Sequence, residues 1–249
     1  MADAAHRPVE IKVLLSDEAV GPALQALDLD ADDSRRRRIY FWERPAPGPV
    51  EPRLPLLEAG LVIRLRKEVG GSDDDLTVKL RPCDPDRLPE EWRADRSDGD
   101  WEFTIEEDWS GRDRAPAASL KRDGDFPRPT GDDPGDSGQP AFNPEQRDLL
   151  AGTGHRDLGR LTALGPVEAR QWKPPLADLL HPVTVERWTV EDQGLDFLEL
   201  SLRARPADAE AARRQLVRAL SERGLASAER QRSKTRAVLA ALAAEALGG

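Results

Sequence analysis

Segment after segment of this chain alternates apolar and polar residues at period two, and the polar side is charged. In GLVIRLRKE, beginning at Gly60, Leu61, Ile63 and Leu65 fall on one side of an extended strand, with Val62, Arg64 and Arg66 on the other. In LTVKLRP, Leu76, Val78 and Leu80 oppose Thr77, Lys79 and Arg81. A solvated sheet face normally mixes signs, because like charges facing each other across strands repel. Two purely basic rows in a chain of formal net charge −10 therefore predict that something anionic lies against them.

The pattern recurs along the chain. In PVEIKVLL (8–15), Val9, Ile11, Val13 and Leu15 oppose Glu10 and Lys12. In DWEFTIEED, Trp101, Phe103 and Ile105 oppose Glu102, Thr104, Glu106 and Asp108. In LDFLELSLRAR, Leu198, Leu200 and Leu202 oppose Glu199, Ser201 and Arg203. RRIYFWE, GPVEARQWK and VTVERWTV are further strand candidates. Helix signals are fewer. Ser16 reads as an N-cap followed by a stripe of Val20, Ala23, Leu24 and Leu27. NPEQRDLLAG starts with an Asn143 cap and Pro144 and stops at Gly152. Two helices close the chain near 207–223 and 234–247. The stretch 110–141 is rich in Gly, Pro, Asp and Arg, which predicts a long mobile excursion with AASLK as a short strand inside it. About eight strands with few helices imply an α+β fold over 1–249 as a single domain, built on an antiparallel sheet or barrel.

Composition narrows the partners. The chain has 249 residues, 38% hydrophobic and 34% charged. Its pI near 5.0 argues against general nucleic-acid binding, which needs a basic footprint. SRRRRIYFWE is accordingly read as a solvated turn leading into a strand. The single cysteine, Cys83, excludes an internal disulfide and is read as structural. His6, His155 and His181 show no metal-ligand spacing. No apolar run reaches membrane-spanning length, and the first residues lack an apolar signal core. The expectation is a soluble cytoplasmic protein, monomer or homodimer, with no membrane and no nucleic-acid partner.

If the sheet closes, its polar faces line an interior large enough for one small ligand. Unpaired ions there would each cost several kcal/mol, so the lining must hold water, mutual pairs or a charged ligand. A polyphosphate with a divalent cation satisfies both signs, since Arg and Lys bind phosphate oxygens and carboxylates bind Mg²⁺ or Mn²⁺.

These segments, in their order, resemble the CYTH superfamily, the triphosphate tunnel metalloenzymes. Its members include class IV adenylyl cyclases, thiamine triphosphatases and inorganic triphosphatases. EIK resembles the last three positions of the superfamily's ExExK strand, GLVIRLRKE its Gly-x-x-x-Arg-x-Arg strand, and LTVKLRP its Thr-x-Lys strand. LGPVEARQWK, FLELSLR and SKT (233–235) follow in sequence. TVKLRP, EQRDLLAG, LGPV and LELS look closest to a divergent bacterial branch. The resemblance implies a closed antiparallel β tunnel that binds a triphosphate-containing small molecule with Mg²⁺ or Mn²⁺. It implies phosphate contacts at Lys12, Arg64, Arg66, Lys79, Arg81, Lys121, Lys173, Arg203 and Lys234, with Lys12, Arg64 and Lys79 catalytic. It implies metal-side carboxylates at Glu10, Glu106, Asp108, Glu186 and Glu199. Pro8 replaces the first glutamate of ExExK, and Ser201 a second carboxylate after Glu199, so the metal site is short of ligands. Hydrolysis is favoured over cyclisation because no adenine pocket is evident. A binding module without turnover is the second class, and a structural protein with 110–141 as a docking arm is the third. The six tryptophans are read as packing and lip residues, with Trp172 or Trp188 the candidates to stack a base.

Overall fold

The computed structural model describes residues 7–129, 138–225 and 233–248. The elements are β1 (Val9–Ser16), α1 (Val20–Ala26), β2 (Arg35–Glu43), α2 (Pro55–Glu58), β3 (Leu61–Glu68), β4 (Asp75–Leu80), β5 (Arg96–Asp98), β6 (Trp101–Ser110) and β7 (Asp113–Asp123). They continue with α3 (Pro144–Gly152), β8 (Thr162–Trp172), β9 (Thr184–Val190), β10 (Leu195–Ala204), α4 (Ala209–Glu222) and α5 (Lys234–Gly248). Among the described residues the strands run in the order β1-β10-β9-β8-β2-β3-β4-β7-β6, and β6 returns to pair with β1. That closes a nine-stranded barrel, with β5 attached to the start of β6 outside the ring.

The barrel is mixed rather than wholly antiparallel. Its closing seam, β1 with β6, is parallel and sets Glu10 opposite Asp108. The other neighbours in the ring are antiparallel. A parallel pair needs a long crossover, and the stretch between these two strands, which builds β2 to β5, provides it.

The apolar faces turn outward under helices, as the alternation requires. Val9, Ile11, Val13, Leu198, Leu200 and Leu202 pack beneath Val20 and Ala23 of α1 and Leu216 and Leu220 of α4. Ile63, Leu65, Leu76, Val78, Phe103, Ile105 and Leu120 pack beneath Leu149 and Leu150 of α3, together with Trp92. Each fully buried aliphatic side chain contributes about 1.5–3 kcal/mol. Helix α3 is pinned by polar contacts too. Asn143 and Gln146 form a capping box, and the Gln146 amide donates to Leu76 O at 2.9 Å. A third cluster joins Ile39, Phe41, Trp188 and Phe197 to Val238, Leu239 and Leu242 of α5, so α5 closes off one end of the barrel.

Two glycines from the motifs have steric reasons. Gly165 has φ +120°, and a Cβ there would meet Ile39 O at 2.8 Å, beside the irregularity in the β2–β8 ladder. Gly60 turns into β3 at φ +78°, with Arg81 O 3.1 Å from where a Cβ would sit.

Other expectations change. Of the 110–141 stretch, residues 113–123 form β7, a regular strand held between β4 and β6, while 130–137 lie outside the described residues. Its Gly, Pro and Asp signals flank a strand whose Ala117, Ala118 and Leu120 are buried. At the first helix, β1 runs through Ser16 and α1 starts at Val20 after a 3-10 turn, with Ala19 at the cap instead of Ser16. His6 lies outside the described residues. Cys83 is buried, and burial together with the Asp84 charge pushes its thiol up to about 11, which suits a structural role. No helix among the described residues is long and apolar enough to cross a membrane.

Candidate functional site

Inside the barrel is a cavity of about 190 Å³. Charged side chains reach it from β1 (Lys12), β3 (Arg64), β4 (Lys79), β6 (Asp108), β9 (Glu186), β10 (Glu199) and α5 (Lys234), and Arg81 enters just beyond β4. A larger hollow of about 530 Å³ lies outside, between α5 and residues 50–52. Its walls include Ala237, Ala240, Ala241 and Ala244 with Val50, Pro52 and Leu195, and they lack the facing rows of charge. The chemistry therefore belongs to the interior cavity.

Three clusters make up the site. In the first, one oxygen each from Glu10, Glu106 and Asp108 lies within 4.8 Å of the others. Lys12 Nζ sits 2.6 Å from Glu10 and 2.9 Å from Asp108. Lys79 Nζ sits 3.1 Å from Glu106 and 3.0 Å from Asp108, and Arg81 Nε is also 3.0 Å from Asp108. Burial alone would raise the Asp108 carboxyl, but Lys12 and Lys79 outweigh it and hold it below the usual carboxylate range. Burial would likewise lower the Lys12 ammonium, and Glu10, Asp108 and Glu199 reverse that and push it up.

In the second cluster, Glu186 and Glu199 stand directly opposite each other on β9 and β10. Like charges so placed repel, and Lys234 removes the conflict by sitting 3.3 Å from Glu186 and 3.1 Å from Glu199. Its Nζ also lies 3.9 Å above the Trp188 ring. Burial would raise the Glu186 carboxyl, yet Lys234, Arg66 and Arg64 together bring it down to about 2. That depression predicts an acid transition. The folded value lies below the usual 4.5, so the stabilisation is complete above pH 4.5 and is lost as pH falls toward 2. Glu186→Gln should remove up to about 3 kcal/mol at neutral pH and flatten this part of the acid profile. Urea midpoints measured from pH 7 to pH 2 check it, and parallel profiles for both proteins would refute the coupling.

The third cluster is arginine-rich. Arg66 Nε bonds Asp75 at 2.8 and 3.1 Å. Arg64 Nε is buried without a hydrogen-bond partner among the described residues, and burial together with Arg66 lowers its guanidinium to about 10. Arg37 joins these two. Only 7% exposed, it feels Arg66, Asp75 and Glu186.

The remaining sequence candidates sit at the margins. Lys121 pairs with Asp123 at 3.3 Å and is half-buried. Arg203 is mostly exposed but reaches Glu106 at 3.2 Å. Lys173 is exposed just past β8 and does not line the cavity, because the strand ends at Trp172. Trp188 borders the cavity, whereas Trp172 packs outside the barrel and donates its indole N–H to Asp30 O.

Sequence reading missed Arg37 and Asp75. The run of four arginines in SRRRR hid an alternation: Arg38 turns outward to Glu168, while Arg37 shares the face of Ile39 and Phe41. The solvated-turn reading of that run is therefore corrected for Arg37. Asp75 lies two residues before Thr77 on the same face as Lys79, a spacing that could have identified it.

The first cluster suits a hard divalent cation, which takes oxygen ligands and keeps several waters. Glu10, Glu106 and Asp108 would hold it, in competition with the ammonium groups of Lys12 and Lys79.

Neither a protein-family profile nor a curated protein sequence matches the chain. Solved structures do. A proposed adenylate cyclase from Bacillus halodurans superposes with TM-score 0.56 and 12% identity, over 93% of this chain and 97% of that one. A proposed adenylyl cyclase from Hippeastrum, whose dominant activity is described as triphosphatase, superposes with TM-score 0.57 and 15% identity, over 93% and 94%. At such identities the likeness concerns architecture: this chain has the same fold as a proposed bacterial adenylate cyclase and a plant protein with triphosphatase activity.

Proposed function

We propose that the chain is a divergent CYTH-superfamily enzyme, a single tunnel domain that grips a triphosphate compound inside the barrel and hydrolyses it with Mg²⁺ or Mn²⁺. One observation carries this reading. Cationic side chains from β1, β3, β4 and α5 meet carboxylates from β6, β9 and β10 around one cavity. A barrel selected for stability alone would fill that space with aliphatic side chains, because buried ion pairs gain little over apolar packing.

In this scheme Lys12, Arg64 and Lys79 contact the phosphoryl group under attack, and Arg81 and Lys234 hold the rest of the chain. Arginine forks and lysine ammonium groups spread the charge that builds on the equatorial oxygens as water attacks in line. A divalent cation held by Glu10, Glu106 and Asp108 would neutralise phosphate oxygens when bound. Phosphate binding draws Lys12, Lys79 and Lys234 toward the new anion and frees carboxylate oxygens on both sides.

Hydrolysis is favoured over cyclisation for two reasons. Lys234 covers the Trp188 ring, and Phe41, which packs against Trp188, is 1% exposed, so no open aromatic platform for a base borders the cavity among the described residues. The cavity of about 190 Å³ also falls below the roughly 300–1,000 Å³ of pockets that enclose drug-sized organic ligands. A phosphate chain fits inside while any organic group stays outside. The dominant triphosphatase activity of the Hippeastrum protein agrees with this choice.

The test is incubation of the pure protein with tripolyphosphate or ATP, with and without Mn²⁺ or Mg²⁺. Orthophosphate released only in the presence of metal is expected. Pyrophosphate with cyclic nucleotide from ATP would make it a cyclase. Tight calorimetric binding without product would make it a binding module, the reading that Pro8 and Ser201 motivate. Neither binding nor product from any triphosphate would end the proposal.

A further inference from the structure

Arg37 is costly where it stands. It is 7% exposed, and its Nε has no hydrogen-bond partner among the described residues. Its register partner on β3 is Glu68, but Glu68 is taken by Arg35, which also bonds Asp73. Arg66, opposite Ile39 and so diagonal to Arg37, uses both oxygens of Asp75. Glu186 is shared with Lys234. The acids nearby are therefore committed, and Arg37 and Arg64 remain with buried, unpaired Nε atoms. Burial first, and Arg66 second, push the Arg37 guanidinium down. A buried guanidinium with an unsatisfied Nε costs stability and calls for an explanation.

Its position supplies one. On β2, Phe41 borders the cavity and packs with α5, whereas Arg37 lies four residues back on the same face, roughly 13 Å away. On β3, Arg64 borders the cavity and Arg66 comes next in the same direction, since β3 is antiparallel to β2. The cationic lining thus continues past the cavity, away from the end that α5 closes. A ligand gripped at Lys12, Arg64, Lys79 and Lys234 that carried one more anionic group would meet Arg66 and Arg37 next. Two guanidinium groups in a low-dielectric wall are suited to a phosphoryl group, which they engage with paired N–H donors.

We propose that Arg37 and Arg66, continuing from Arg64, form an additional phosphoryl subsite, which makes this chain selective for linear phosphate chains of four or more groups over three. The inference rests on the triphosphate reading above and adds to it a determinant of chain length.

The experiment is calorimetry of the whole protein with pyrophosphate, tripolyphosphate and tetrapolyphosphate, comparing wild type with Arg37→Gln and Arg37→Lys. The wild type should bind tetrapolyphosphate about tenfold tighter than tripolyphosphate. Arg37→Gln should abolish that margin while changing tripolyphosphate affinity less than about threefold, and Arg37→Lys should keep part of it. Adenosine tetraphosphate separates chain length from nucleoside content: a gain equal to that of the inorganic chain means only phosphates are read, and a gain confined to the inorganic chain means the subsite needs a free chain end.

A thermal melt of the empty protein serves as a second readout. Loss of a buried guanidinium that burial and Arg66 disfavour should leave Arg37→Gln as stable as the wild type or more so, whereas a merely structural arginine would give a lower melting temperature and an equal loss for every ligand. Equal wild-type affinity for three and four phosphates, or an equal loss for both in Arg37→Gln, overturns the subsite and leaves the triphosphate reading standing. No binding of any phosphate chain overturns both.

Discussion

Asp108→Asn is expected to destabilise the empty protein by about 3–5 kcal/mol, because it removes a buried carboxylate that three half-buried cations share. Asp108 is 2% exposed and lies about 3 Å from Lys12, Lys79 and Arg81. Asparagine keeps the shape but offers no charge, and an amide turned the wrong way would donate toward groups that can only donate. For a chain of this size each kcal/mol lowers the melting temperature by about 2–4 °C, so a fall of at least 6 °C should be visible. Added tripolyphosphate should recover more stability in the variant than in the wild type, since the ligand supplies the missing anion. A variant melting within about 2 °C of the wild type would show that these cations do not depend on Asp108.

Arg64→Gln should behave in the opposite way. Its guanidinium is held down at about 10 by burial and by Arg66, so the charge is a liability to the empty fold. Removing it should leave stability unchanged or raise it. Turnover of tripolyphosphate should nevertheless fall by about 10²–10³, the usual consequence of losing one preorganised donor to developing charge. If the loss lies in kcat, Arg64 acts mainly on the transition state; a rise in KM alone would mean that it grips substrate and transition state equally. Undiminished turnover in a variant that binds tripolyphosphate normally would remove Arg64 from the reaction. The two variants together separate roles that one stability measurement would merge: Asp108 balances the resting tunnel, while Arg64 is out of balance until a polyanion arrives.

Much of the site is legible before folding. The alternation in residues 61–66 and 76–81 identifies which side of each strand is polar, and the structure turns Arg64 and Lys79 into one cavity accordingly. The helix near 144–152 has the cap that Asn143 and Pro144 signalled. Arg37 was hidden for a specific reason: in a run of identical residues, period two leaves no mark. Of strand β7 only the short piece AASLK was legible, because its alanines contribute little hydrophobic signal, and Gly, Pro and Asp surround them.

Local sequence was enough to determine the strands, their inward charged faces and their outward apolar faces, because pleating and helix periodicity depend on near neighbours alone. It was not enough to assign partners. Lys12 meets Asp108 across 96 positions, and it does so only because a parallel seam between β1 and β6 closes the ring in one register. A shift of one residue there would turn every side chain of the strand to the other face. The choice of which carboxylate neutralises which cation, and which arginine is left without one, therefore belonged to the closed barrel, where strands distant in sequence share one small volume of low dielectric.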